Sequence, residues 1–225
     1  MTSIAVPGHG SLTIECVVVG AFRENAYLVV DEATRHGVLV DPGDEPDRIL
    51  EMVSRAGATV DAIWLTHGHL DHIGAINALR ARIPAPVYLH PLDRPLYDTG
   101  TEAAARFGLT GFDQPGPPDR ELADGQVMRA GGLEFTVVHT PGHAPGHVVF
   151  LRPGVMLGGD LLFRGSIGRT DLPGCNADDM QRSLAWAVRL PGDTAVYPGH
   201  GPATSIGLEW ATNPFLTGIA LPVRR

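Results

Sequence analysis

The sequence predicts an α/β protein built as a four-layer αββα sandwich. Three observations carry that prediction. Short β-branched runs open both halves of the chain, amphipathic helical patterns accompany the strands in each half, and the second half repeats the style of the first. A sheet face or a helix stripe must bury itself against a neighbour, and two sheets with helices outside them satisfy both halves together.

The elements follow in order. Leu12–Val19, Ala26–Val30 and Gly37–Val40 read as strands of an antiparallel meander, separated by turn-formers such as Asp41-Pro42-Gly43. Pro46–Ala56 carries Ile49, Leu50 and Val53 at helical spacing, Ala62–Leu65 is a short buried strand, and Ile73, Ile76, Leu79 and Ile83 recur on one helical face. Pro86–His90 is another strand. Pro91–Arg120, rich in Gly, Pro and Asp with only fragments of helical pattern, reads as a surface excursion roofing a site. Strands are expected at Leu133–His139, His147–Leu151 and Val155–Leu157, a helix across Ala177–Arg189, a strand at Ala195–Tyr197 and a last helix near Ala203–Ala211.

A length of 225 residues, 44% hydrophobic, suits one globular domain over residues 1–225. Met1–Gly10 has neither a basic n-region nor an apolar h-region, and no eighteen apolar residues run together, so a cytoplasmic protein without a membrane partner is expected. A net charge of −8 leaves no basic stripe for a phosphate backbone, which argues against nucleic acid. All 17 basic residues are Arg, which removes Schiff-base lysines and the P-loop lysine from the candidates. With two cysteines, Cys16 and Cys175, any metal must be held by His and carboxylate.

The chemistry concentrates in Thr66-His67-Gly68-His69-Leu70-Asp71-His72, where an apolar strand ends and an amphipathic helix begins. Loops after strand ends are where α/β architectures place reactive groups. Neutral imidazole and carboxylate are donors that zinc, iron or manganese accept when no thiolate is offered. His67 and His69 can converge on one ion while Asp71 and His72 turn toward a second. Thr140-Pro141-Gly142-His143, Gly158-Gly159-Asp160 and Pro198-Gly199-His200-Gly201 each place one more donor at a strand end among glycines. Four loops supplying five histidines and two aspartates match two ions bridged by a carboxylate and a hydroxide.

The pattern His-x-His-x-Asp-His, followed by a distant His, Asp and His, resembles the metallo-β-lactamase superfamily. The stretches Leu65–Asp71, Thr140–Phe150, Gly158–Pro173 and Tyr197–Pro202, with the closing Asn213-Pro214-Phe215-Leu216, are most similar to the short bacterial glyoxalase II-type hydrolases. The resemblance implies a first metal on His67, His69 and His143, a second on Asp71, His72 and His200, and Asp160 bridging both. Two Zn²⁺ are implied, with iron or manganese also suited to these donors. Asp71 would orient the hydroxide that attacks a small-molecule thioester such as an S-lactoyl thiol conjugate. Long-form relatives grip glutathione with a C-terminal helical extension, whereas this chain stops soon after Leu216 and has no lysine clamp. Gly168–Asp171 and Gly174-Cys175 also resemble the mononuclear-iron persulfide dioxygenases, but Pro198-Gly199-His200-Gly201-Pro202 differs from the segment those enzymes carry and favours a hydrolase. A lactonase or β-lactamase on the same scaffold is the remaining alternative. Arg169 and Asp171 are expected to support the ligand loops and His147 to be a buried hydrogen-bonded residue, while Phe163 and Arg164 are only candidates for the substrate mouth.

Overall fold

The computed structural model describes residues 12–216, so the Met1–Gly10 stretch and the last nine residues lie outside the described part. Strands β1 (Leu12–Val19), β2 (Glu24–Asp31) and β3 (His36–Val40) pair antiparallel, as the expected meander. Helix α1 (Pro46–Ala56) begins with Pro46 in its first turn and ends at Gly57, whose φ of 60° lets it close the last turn in the left-handed region. The chain then enters β4 (Thr59–Trp64), parallel to β3.

The single helix implied by Ile73, Ile76, Leu79 and Ile83 is two short ones, α2 (Leu70–Ile73) and α3 (Ile76–Arg80). The break comes at Ala75, whose N–H donates out of the helix to Pro42 O at 3.1 Å. After β5 (Val87–Leu89), the excursion holds a 3-10 turn at Pro91–Asp93 and two short helices, α4 (Arg94–Asp98) and α5 (Gly100–Arg106). Strand β6 (Arg120–Glu121) completes the sheet, in the order β1-β2-β3-β4-β5-β6.

The second sheet contains β7 (Val127–Ala130), β8 (Leu133–His139), β9 (Val148–Arg152) and β10 (Val155–Gly159), all antiparallel. A hairpin of β11 (Leu162–Phe163) and β12 (Ser166–Ile167) follows, then α6 (Ala177–Ala187), which Asn176 caps by accepting from the N–H groups of Asp178 and Asp179. Strand β13 (Ala195–Pro198) runs parallel to β10. The helix expected over Ala203–Ala211 starts later: β14 (Thr204–Ser205) adds the outer strand, and α7 (Ile206–Thr212) begins after Ser205, whose Oγ accepts from Leu208 N. Strand β7 was not expected, because only Met128 and Ala130 mark its buried face.

Period-2 alternation with both faces covered sorts the side chains into three apolar layers. Between the sheets lie Tyr27, Val29, Val38, Trp64, Phe135 and Phe150. Trp64 meets Phe135 edge to face, with ring centroids 5.6 Å apart, and stacks obliquely on Phe150 at 4.9 Å. Leu28, Leu39 and Ile63 face the other way, onto Ile49 and Met52 of α1 and Ile76 of α3. Val149, Met156 and Val196 pack on Met180 and Leu184 of α6 and Ile206 of α7. The order is therefore helix, sheet, sheet, helix, as expected. Among the described residues no helix is long and apolar enough to cross a membrane.

Candidate metal centre

The site sits where loops leave one end of the two sheets. Thr66 ends the β4 run, and Asp41, just after β3, fixes it: the Thr66 N–H donates to Asp41 Oδ1 at 2.7 Å and its hydroxyl to Oδ2 at 2.6 Å. This clamp sets the origin of the His67–His72 segment. Gly43 lies so close to the Asp71 carbonyl that any Cβ there would overlap it, which presses the β3–α1 loop onto the start of α2.

Two triads of donor atoms form. Ligand atoms of His67, His69 and His143 lie within 4.8 Å of one another, and so do those of Asp71, His72 and His200. His69 Nδ1 is 2.8 Å from His143 Nε2. Asp160 stands between the triads: its carboxylate is 3.3 Å from His143 Nε2, 3.6 Å from His72 Nε2 and 3.5 Å from His200 Nε2. Asp71 Oδ2 is 3.3 Å from His200 Nε2. All seven residues singled out in the sequence therefore converge on one cluster, in which His69, Asp71, His143, Asp160 and His200 line the cavity and His67 and His72 are fully buried. Asp41 also falls within reach of His67 and His72, but both its oxygens already accept from Thr66, and its distance of 3.1 Å to His72 Nδ1 makes it a support for that ring.

The other ring nitrogens face outward partners, which fixes each imidazole's orientation. His67 Nδ1 is 3.0 Å from Thr66 Oγ1, His143 Nδ1 is 2.8 Å from Arg169 O, and His200 Nδ1 is 3.1 Å from Phe22 O. His67 Nε2, His72 Nε2 and Asp160 Oδ1 are buried without a hydrogen-bond partner. Buried polar atoms without partners are rare, and three of them aimed into one cluster of imidazoles and carboxylates fit a cation-binding site.

The electrostatics agree with that fit. Burial holds His67 in its neutral form; burial and the neighbouring His143 push His69 down to about 3; burial takes His143 down to about 4. These three are neutral imidazoles, the form that ligates. In the second triad burial opposes charge, but Asp160, Asp71 and Asp41 outweigh it and push His72 up to about 9, while Asp71 and Asp160 raise His200. Burial likewise opposes ionisation of Asp71, yet His72 and His200 hold its carboxyl below the usual range. The two carboxylates thus call for positive charge beside the neutral triad.

Among the supporting residues, Asp93 and Glu24 carried no signal in the sequence, whereas His147 is the buried hydrogen-bonded residue expected and Arg169 a support of the ligand loops. His147, fully buried, accepts the Asp160 N–H at Nε2, 3.0 Å away, and lies 2.9 Å from Thr140 Oγ1 at Nδ1, so it anchors the backbone of the central aspartate. Asp93, also fully buried, accepts from Gly68 N at 2.9 Å and from Gly146 N, tying the His67–His69 loop to the loop that carries His143. Glu24 is buried 3.9 Å from His72 Nδ1, and burial with nearby Asp41 and Asp71 pushes its pKa well up. Arg169 supports His143 through its carbonyl; its guanidinium instead pairs with Asp171 in two hydrogen bonds, at 2.7 and 2.9 Å, on the surface. Phe163 does line the mouth, its ring 5.8 Å from that of His200, whereas Arg164 is exposed and forms no part of the wall. Cys175 Sγ donates to His143 O at 2.9 Å, and burial pushes its thiol up.

A cavity of about 860 Å³ opens above the cluster, roofed by α4 and α5, so the Pro91–Arg120 excursion does cover the site. The family model for the metallo-beta-lactamase superfamily matches residues 19–200. The hydroxyacylglutathione hydrolase GloC of Haemophilus influenzae is 34% identical over 91% of this chain and 98% of its own length. Two solved structures are similar throughout. The crystal structure of TTHA1623 in a di-iron-bound form is 47% identical, has a TM-score of 0.82, and the match covers 90% of this chain and all of that one. The BLEG-1 B3 metallo-beta-lactamase is 36% identical with a TM-score of 0.86, covering 92% of this chain and all of that one.

Proposed function

Given that the chain belongs to the metallo-β-lactamase superfamily and is a metal-dependent hydrolase, we propose that it cleaves small-molecule thioesters, as a glyoxalase II-like enzyme acting on S-acyl and S-lactoyl thiol conjugates. One observation carries this reading: two donor triads share Asp160 at the floor of a roofed cavity whose remaining ionisable side chains, Glu102, Arg106 and Arg169, are all exposed. A thiolate departs without an acid to protonate it, whereas an amine does not.

His67, His69 and His143 would hold one ion, Asp71, His72 and His200 a second, and Asp160 both. Zinc fits the donor set, and iron, seen in the TTHA1623 relative, fits it too. Bound there, the ions would supply an acidified water and an electrophile for the carbonyl oxygen. The chain's own groups do the rest. Asp71, held ionised by His72 and His200, accepts a hydrogen bond from the attacking water and orients it. Asp160, fixed through its N–H by His147, keeps the two triads in register. Hydrolysis adds water across the acyl C–S bond and yields a carboxylate, a thiol and a proton released to solvent. The reaction would take place in the cytoplasm, with no nucleic-acid or membrane partner.

Similarity to the BLEG-1 B3 metallo-beta-lactamase makes β-lactam hydrolysis the second reading. The test is turnover by protein stripped with a chelator and reloaded with zinc, iron or manganese. S-lactoylglutathione, nitrocefin and glutathione persulfide under oxygen are assayed side by side. Thioester hydrolysis that is lost on chelation and returns with metal is expected. Nitrocefin turnover without thioesterase activity, or oxygen uptake on the persulfide with one iron per chain, would replace this reading.

A further inference from the structure

The cavity extends well beyond the metal cluster, and its walls say what the rest of the substrate is made of. Its volume of about 860 Å³ lies high in the range of about 300–1,000 Å³ that accommodates a whole small molecule, far more than a lactoyl group fills. The walls are Phe22, Leu92, Leu96, Phe107, Phe163 and Leu172. Leu92 and Phe107 stay 54% and 46% exposed, which is apolar surface awaiting cover. Phe107 reaches across from the end of α5 to meet Phe22 edge to face at 5.3 Å, closing an apolar arch between the roof and the β1–β2 turn.

Charge is scarce in these walls. The Arg169 guanidinium is taken by Asp171, and Glu102 repels anions. That leaves Arg106, at the C-terminal end of α5, whose guanidinium forms no ion pair or hydrogen bond among the described residues. Glutathione carries carboxylates at both ends, an ammonium and peptide amides, and an apolar arch leaves most of these without partners. We infer that the substrate is a thioester whose larger, non-reacting part is an apolar chain or ring ending in a single anion, the apolar body lying under the Phe22–Phe107 arch and the anion at Arg106. This rests on the thioesterase reading for the reacting end only; the occupancy of the arch is a separate matter of binding.

The test reads binding and turnover separately. Calorimetry on the metal-loaded protein compares non-hydrolysable S-acetonyl 8-mercaptooctanoate, its neutral octanamide counterpart and S-acetonylglutathione. The octanoate should bind best, the octanamide about threefold more weakly, and the glutathione thioether weakest. Arg106→Gln should erase the octanoate's advantage over the octanamide without altering the octanamide's Kd, and Arg106→Glu should reverse it. Turnover is measured on S-acetyl 8-mercaptooctanoate and S-lactoylglutathione. Equal Kd values for octanoate and octanamide, or tightest binding by the glutathione thioether, would overturn the inference whatever the turnover. The predicted binding order with no thioester turned over would uphold the arch and refute the thioesterase reading alone.

Discussion

Asp93 is the residue whose removal tells most about how the site is held. It sits far from any ligand in sequence, is fully buried, and accepts the N–H groups of Gly68 and Gly146 from the two loops that supply the neutral histidine triad. Asp93→Ala leaves both donors buried and unpaired, at about 1–3 kcal/mol each. A gain opposes this loss. Burial raises the Asp93 carboxyl from 3.8 to about 6, so keeping it ionised in the folded state costs about 3 kcal/mol near neutral pH. The sign follows from proton counting. Between about pH 4 and 6 the folded chain binds a proton at Asp93 that the unfolded chain has lost, so wild-type stability falls as pH rises through this window and the alanine variant escapes that fall. The variant should therefore be about 4 kcal/mol less stable below pH 4 and only about 1 kcal/mol less stable at pH 7.5. Urea unfolding of both metal-stripped proteins at the two pH values measures this, because the difference between them cancels every group they share. A penalty that is constant or that grows with pH would refute the argument, as would a variant with unchanged stability at low pH.

Two further substitutions probe the centre and the core. Gly199→Ala should lower zinc affinity at least about tenfold in a chelator competition with little loss of fold, because its Cβ would collide with Asp160 Oδ1 and His72 Cε1; unchanged affinity would mean that Asp160 does not depend on this approach. Trp64→Ala should cost about 3–5 kcal/mol in urea unfolding, since the fully buried indole fills the space between Phe135 and Phe150, and a cost below about 1 kcal/mol would contradict the packing.

The layered fold is legible in the sequence because burial on both faces of each sheet leaves its inner strands as short continuous apolar runs. In β2, Tyr27 and Val29 face the inter-sheet core and Leu28 and Val30 the helices, so its Ala26–Val30 stretch is apolar throughout. Weak edges leave no such run: β7 has two inward side chains and β14 two residues in all. The division of the helix at Ala75 was equally hidden, since a loop carbonyl from Pro42 captures its N–H.

The donor cluster is legible because metal chemistry restricts residue type, and four donors in one short loop have few structural explanations. What holds those donors is not. Phe22 acts through a backbone carbonyl, which every residue possesses, and Arg169, expected as a support, acts through its carbonyl and not its guanidinium. Asp93 and Asp41 are ordinary loop aspartates until the fold brings Gly68, Gly146 and Thr66 to them. Asp171, expected to support the ligand loops, instead draws the Arg169 side chain to the surface.

Elemental analysis of the dialysed protein, wild type and His200→Ala, tests most directly whether the site holds a pair of ions. About two transition-metal ions per wild-type chain, falling to about one in the variant, is the predicted result. One ion per wild-type chain with the variant unchanged would show that Asp71, His72 and His200 hold no metal, and would contradict the two-ion site.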